Sequence, residues 1–96
     1  MRRTDSRTLR EIIGEILKEY QIDRKLKERD LIRQWEEVAG INVSRSTSAI
    51  YIREGTLYVS IRSSVIRNEL IWIRDELRKE LNRRAGEELI RELVIR

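Results

Sequence analysis

Apolar residues recur at Leu9, Ile12, Ile13, Ile16, Leu17 and Tyr20, that is at i, i+3, i+4, i+7, i+8 and i+11. This spacing lines one side of a helix with 3.6 residues per turn. Thr4, Asp5 and Ser6 precede it and are good N-cap residues, because a short side-chain oxygen accepts from the free N–H groups of a first turn. Gly14 weakens the helix slightly. Asp23 is a plausible cap for a second helix. Leu26, Leu31, Ile32, Trp35, Val38 and Ala39 give that helix its apolar positions, and Gly40 fits its stop. A polar stretch from residue 43 leads into Ala49-Ile50-Tyr51-Ile52. Residues 56–62 alternate, with Leu57, Val59 and Ile61 on one face and Thr56, Tyr58, Ser60 and Arg62 on the other. Glu54-Gly55 between the two runs predicts an antiparallel hairpin, Gly55 supplying the positive φ of a tight turn. Ser63 or Ser64 caps the longest helix, about residues 64–84, with Ile66, Leu70, Ile73, Leu77 and Leu81 as its stripe and Gly86 as its stop. The run from Leu89 to Arg96 predicts a strand, with Leu93 and Ile95 on one face and Val94 on the other. The expected order is α-α-β-β-α-β, an α+β fold with one three-stranded sheet covered by helices.

Ninety-six residues make one domain at most. With no proline, no repeat and no low-complexity stretch, nothing divides the chain: residues 1–6 are expected to be a basic tail and residues 7–96 a single domain. There is no cysteine and no histidine. That removes disulfides, thiolate metal sites, a cysteine nucleophile and the commonest general base. Glu36-Glu37 and Glu87-Glu88 are adjacent in the chain, but neighbouring helix positions point about 100° apart and make no acid/base pair on one face. No enzyme, cofactor, metal site or small-molecule substrate is therefore expected. Neither a run of ~20 apolar residues nor an apolar segment behind Arg2 and Arg3 is present, so no membrane span or signal peptide is expected and the cytoplasm is the default location.

The formal charge is +4. Residues 1–10 hold four Arg against Asp5, and residues 41–68 hold Arg45, Arg53, Arg62 and Arg67 against Glu54, while the remaining segments are acidic or balanced. Seventeen of the cations are Arg and four are Lys. Arg makes the better bidentate contact with phosphate or carboxylate.

Trp35 through Gly40, the Gly55-Thr56-Leu57 start of the second strand, Ser63-Ser64, Glu69-Leu70, Leu81-Asn82 and the closing strand together resemble the DciA family, the DnaC/DnaI antecedents that load the bacterial replicative helicase. The resemblance spans residues 8–96. It implies a KH-like domain, affinity for DNA and contact with the replicative helicase. The glycines stand at Gly14, Gly40, Gly55 and Gly86, so the G-x-x-G loop with which KH domains clamp a nucleic-acid backbone is missing. Contact with DNA, single- or double-stranded, is then expected from side chains.

The candidates for that contact are Arg2, Arg3, Arg7 and Arg10 in a basic arm, Arg45, Arg53 and Arg62 around the hairpin, and Arg67, Arg74 and Arg78 along one flank of the long helix. Tyr58, beside Tyr51 on the paired strand, is either a stacking platform for bases or an ordinary cross-strand aromatic contact. Trp35 lies in register with Leu31 and Val38 and is expected in the core. Trp72 falls nearly opposite the Leu70–Ile73–Leu77 stripe. Either the helix is buried on two sides, or Trp72 is an exposed anchor with Ile71 and Val94 for a protein partner. Two functions follow: a non-enzymatic DNA-binding domain tied to helicase recruitment in replication, or a protein-interaction or homodimerisation module with no nucleic-acid role.

Overall fold

A computed structural model describes residues 8–96. The expected tail, with Arg2, Arg3 and Arg7 and the cap candidates Thr4, Asp5 and Ser6, lies outside the described residues. Helix α1 (Leu9–Arg33) starts at Thr8. The Thr8 hydroxyl accepts from the Glu11 amide at 3.2 Å while the Glu11 carboxylate accepts from the Thr8 amide at 2.8 Å. This reciprocal box closes the first turn, and the Thr8 amide holds the Glu11 carboxyl below its ordinary pKa.

The two expected helices are one. No Gly or Pro interrupts Gln21 to Arg33, and Asp23 sits 3.3 Å from the Lys27 ammonium one turn on. Its carboxylate braces a helix interior instead of capping a new helix. Two short helices follow, α2 (Trp35–Ala39) and α3 (Ile41–Ser46), joined at Gly40 with φ of 99°. Residues 43–46, expected to lead into a strand, are therefore helical. Hydroxyls close these turns locally: Thr47 Oγ1 donates to the Val43 carbonyl at 2.8 Å and Ser44 Oγ to Glu36 at 3.0 Å.

Strands β1 (Thr47–Arg53) and β2 (Thr56–Ile61) pair antiparallel, with Arg53 opposite Thr56 and Tyr51 opposite Tyr58. Glu54 and Gly55 both have positive φ, 51° and 80°, the backbone of a two-residue turn that matches strand twist. A second feature also favours glycine at this position. A Cβ there would lie 3.0 Å from the Arg91 guanidinium, which donates to the Glu54 carbonyl at 2.8 Å and clamps the turn.

The long helix divides into α4 (Ser64–Trp72), capped by Ser63, and α5 (Arg74–Ala85), which stops at Gly86 in the left-handed region. At the break Ile73 has φ of −111° and ψ of 17°. Three bulky residues in a row, two of them β-branched, are weak helix formers here. The bend lets Leu70 enter the core from α4 while Leu77 and Leu81 enter it from α5, leaving Ile73 exposed. Strand β3 (Glu92–Ile95) runs parallel to β2 in a sheet ordered β1-β2-β3.

Leu89 and Ile90 precede β3 in irregular chain yet are fully buried. Asn82 makes this possible. Its Oδ1 accepts from the Leu89 and Ile90 amides at 3.0 Å each, and its Nδ2 donates to the Ile90 carbonyl at 2.8 Å. One side chain thus satisfies three of the loop's buried backbone groups, while the Leu89 carbonyl accepts from Arg24.

The helices cover the sheet face that carries Leu57, Val59, Ile61, Leu93 and Ile95. Among the described residues no helix covers the other face. The radius of gyration is 18.2 Å, well above the roughly 13 Å of a compact chain of this length. The excess comes from α1. Every residue from Leu9 to Asp23 is exposed apart from half-buried Ile12, whereas Arg24 onward packs on the body.

Candidate nucleic-acid interface

The open sheet face is organised around two tyrosines. The β1–β2 register sets Tyr51 opposite Tyr58. Their rings stack with centroids 4.9 Å apart and an interplanar angle of 18°. Arg96 completes the cluster. Its guanidinium lies 4.9 Å from the Tyr58 ring centroid and donates to the Tyr51 hydroxyl at 2.7 Å. The parallel β2–β3 register makes this reach possible, since it sets Val94 beside Tyr58 and brings the Arg96 carbonyl to the Ile61 amide at 2.7 Å. A guanidinium over an aromatic face is attracted by the ring quadrupole and keeps its remaining N–H donors for an anion. Arg53 stands exposed at the turn end of this face, and Arg62 stands at the other. Arg62 donates to the Arg45 carbonyl at 2.7 Å, which joins the end of β2 to α3 and holds two cations at one corner of the sheet. Chemically the surface offers the exposed ring of Tyr51, backed by half-buried Tyr58 under Arg96, with planar cations at its margins.

The other candidate cations stand apart from this face. Arg10 is exposed on the outlying turns of α1. Arg67 is half-buried and donates to the Ile61 carbonyl at 2.7 Å, tying α4 to the end of β2, while its Nε is buried with no hydrogen-bond partner. The expected flank Arg67–Arg74–Arg78 is not continuous, because the bend at Ile73 puts Arg67 on one helix and Arg74 and Arg78 on the next. Arg74 and Arg78 line a groove of about 270 Å³ along β3 together with Arg91, Glu92 and Val94. Arg78 is paired there with Asp75 at 2.8 Å, and Arg78 and Lys79 hold the Asp75 carboxyl below its ordinary pKa.

Trp35 is buried, its Nε1 donating to the Thr47 hydroxyl at 3.0 Å. Trp72 is 85% exposed at the α4–α5 bend, beside exposed Ile71 and Ile73. The alternative that buries the helix on two sides is thereby set aside. Val94 is half-buried on β3 and lines the groove with Arg74.

Residues 8–95 match the family model described as Dna[CI] antecedent, DciA. The chain belongs to the DciA family. This family is linked to loading of the DnaB helicase in replication, associates with that helicase, and is not a known enzyme family. No curated protein matches the chain in sequence. Among the described residues no cluster of acidic side chains fit to hold a metal ion occurs, and no helix is long and apolar enough to cross a membrane.

Within this DciA-family fold, sequence reasoning missed Arg96 and Arg91. Arg96 looks like a terminal charge until β3 is known to run parallel beside β2. Arg91 gains its role only because its backbone amide meets the Gly55 carbonyl at 2.7 Å. A signal existed for Arg96: two consecutive helical segments between β2 and β3 form a crossover, and crossovers join parallel strands.

Proposed function

We propose that this DciA-family chain is a non-enzymatic, cytoplasmic protein whose KH-like domain binds single-stranded DNA on its open sheet face in the service of replicative-helicase recruitment. The observation that carries this reading is the Tyr51–Tyr58–Arg96 cluster. An exposed aromatic ring, here Tyr51 backed by half-buried Tyr58, accepts any base, and stacking contributes about 1–3 kcal/mol per base. Duplex DNA keeps its bases stacked inside and would use only the cations. Arg53, Arg62 and Arg45 at the margins of the face are positioned for phosphates on either side of a stacked base. The parallel β2–β3 pair joined through α4 and α5 supports treating residues 7–96 as one KH-like unit. In the absence of a G-x-x-G loop, these side chains replace the backbone clamp.

Fluorescence anisotropy with labelled single- and double-stranded oligonucleotides tests the proposal. With about three phosphates neutralised, affinity for single strands should fall roughly twentyfold between 50 and 200 mM salt. Tyr58→Ala should weaken binding by roughly tenfold, with Arg96→Ala close behind. A salt-independent affinity, or full binding by Tyr58→Ala, would remove the sheet face from consideration.

One further observation favours a second contact. Trp72 on a helix bend, almost wholly exposed beside Ile71, has the composition of a protein-binding anchor. The helicase is the partner to test. Trp72→Ala should lose helicase binding in a pull-down while retaining its thermal melt and its affinity for DNA. Retained helicase binding would mean that the contact lies elsewhere.

A further inference from the structure

We infer that the outlying half of α1 is a self-association surface, and that its occupant is a second copy of this chain lying antiparallel. The proposal stands apart from the DNA-binding reading and uses none of its residues. Leu9, Ile13, Ile16, Leu17 and Tyr20 line one side of α1, with exposures from 47% at Ile13 to 72% at Leu9. Together they offer on the order of 600 Å² per copy, or about 1,200 Å² for a pair, the lower bound of a stable interface. A stripe of this size with no cover among the described residues is costly in water.

The fold decides the orientation. About five turns separate Ile13 from Leu31, so the two point the same way from one helix. At Leu31 that direction is filled by the chain's own core. The filling begins at Arg24, whose guanidinium donates to the Leu89 carbonyl at 2.9 Å, and continues with Lys27 paired to Glu87 at 2.7 Å. A parallel copy would drive its body into the body already seated on that face. An antiparallel copy sets the two bodies at opposite ends and lays only the outlying halves together.

The stripe suits this arrangement. Its spacing is unchanged when the chain is read backwards. Leu9 then meets the partner's Tyr20, Ile12 the partner's Leu17, and Ile13 the partner's Ile16. A two-fold contact demands such self-complementarity, since each surface must receive its own copy. Leu9 to Tyr20 spans about 17 Å of helix, enough for two such layers on each side of the axis.

Sedimentation equilibrium on the full chain tests the association, with disulfide trapping for its orientation. The chain has no cysteine of its own, so single-cysteine variants report without background. A concentration-dependent dimer is expected, and Ile16→Glu should raise the concentration needed for it at least tenfold with an unchanged circular-dichroism spectrum. An equal mixture of Ile13→Cys and Ile16→Cys should oxidise mainly to the mixed disulfide. Predominant 13–13 and 16–16 disulfides would mean a parallel pair and overturn the orientation. A chain that stays monomeric up to roughly 0.1 mM, where even weak pairs are populated, overturns the proposal, as does a dimer that Ile16→Glu leaves intact.

Discussion

Ile13 and Leu31 belong to one helix and point in one direction, yet the first is 47% exposed and the second 2%. The amphipathic pattern is as regular around Ile13 as around Leu31. What differs is the presence of a second layer. Opposite Leu31 lie α5 and the loop that Asn82 holds in place; opposite Ile13 no part of the described chain folds back. Periodicity therefore tells which side of a helix wants cover. It does not tell whether the same chain supplies that cover.

Substitutions at the two positions should give very different results. Leu31→Ala should cost about 2–5 kcal/mol of unfolding free energy in urea, the usual price of a core cavity. Ile13→Ala, measured on dilute protein, should stay within about 0.5 kcal/mol. Equal losses would mean that the outlying half of α1 is packed against something in the monomer. Next in size is Asn82→Leu, which keeps volume but leaves the Ile90 amide and carbonyl without their Asn82 partner and the Leu89 amide with the Glu87 carbonyl alone. A loss of about 2–3 kcal/mol is expected, and amide exchange should speed up first at residues 89 and 90. If exchange there stays slow, the loop does not depend on Asn82.

The smallest effect concerns pH. Glu80 accepts from Arg83 at 2.6 Å and from Arg84 at 3.0 Å, and these bonds lower its carboxyl from an ordinary 4.5 to about 2. Arg84 also reaches Gln34 and Glu37, at 2.9 and 3.2 Å, so the cluster ties α5 to the start of α2. A carboxyl whose folded pKa is depressed contributes its stability above the unfolded value. The contribution should be complete above about pH 4.5 and fade as the pH falls towards 2. The surface position keeps it small. Glu80→Gln should flatten that part of the melting-temperature profile, and an unchanged profile would show that other carboxylates set it.

Much of the body was legible beforehand. The Leu57–Val59–Ile61 alternation, the Glu54-Gly55 turn and the stops at Gly40 and Gly86 are local, and each rests on a backbone conformation or a period of two that few residues satisfy. The boundaries that were misjudged include those at Asp23, Gln34 and Ile73 and the helical residues 43–46. Asp23 lies mid-helix because α1 runs unbroken onto the body, where Arg24 reaches the Leu89 carbonyl and Lys27, paired with Asp23, also reaches Glu87. At Ile73 the helix divides where three bulky residues, Ile71, Trp72 and Ile73, follow one another. Of the candidate interface, Tyr51 beside Tyr58 followed from the hairpin. Arg96 over Tyr58 did not, since the direction and neighbour of β3 are set by the crossover and not by the residues of β3. The exposure of Trp72 had the same dependence on whether a second helix would cover it.

Trp35 and Trp72 are the chain's two tryptophans, one 3% and the other 85% exposed. The molecule thereby carries a pair of native optical reporters in opposite surroundings. A dissolved quencher such as iodide should dim the long-wavelength emission of Trp72 and leave the blue-shifted light of Trp35. Denaturant should red-shift Trp35 alone, and a protein seated on the α4–α5 bend should shield Trp72 alone. Unlabelled protein in a single cuvette can thus separate loss of the core from occupation of the surface.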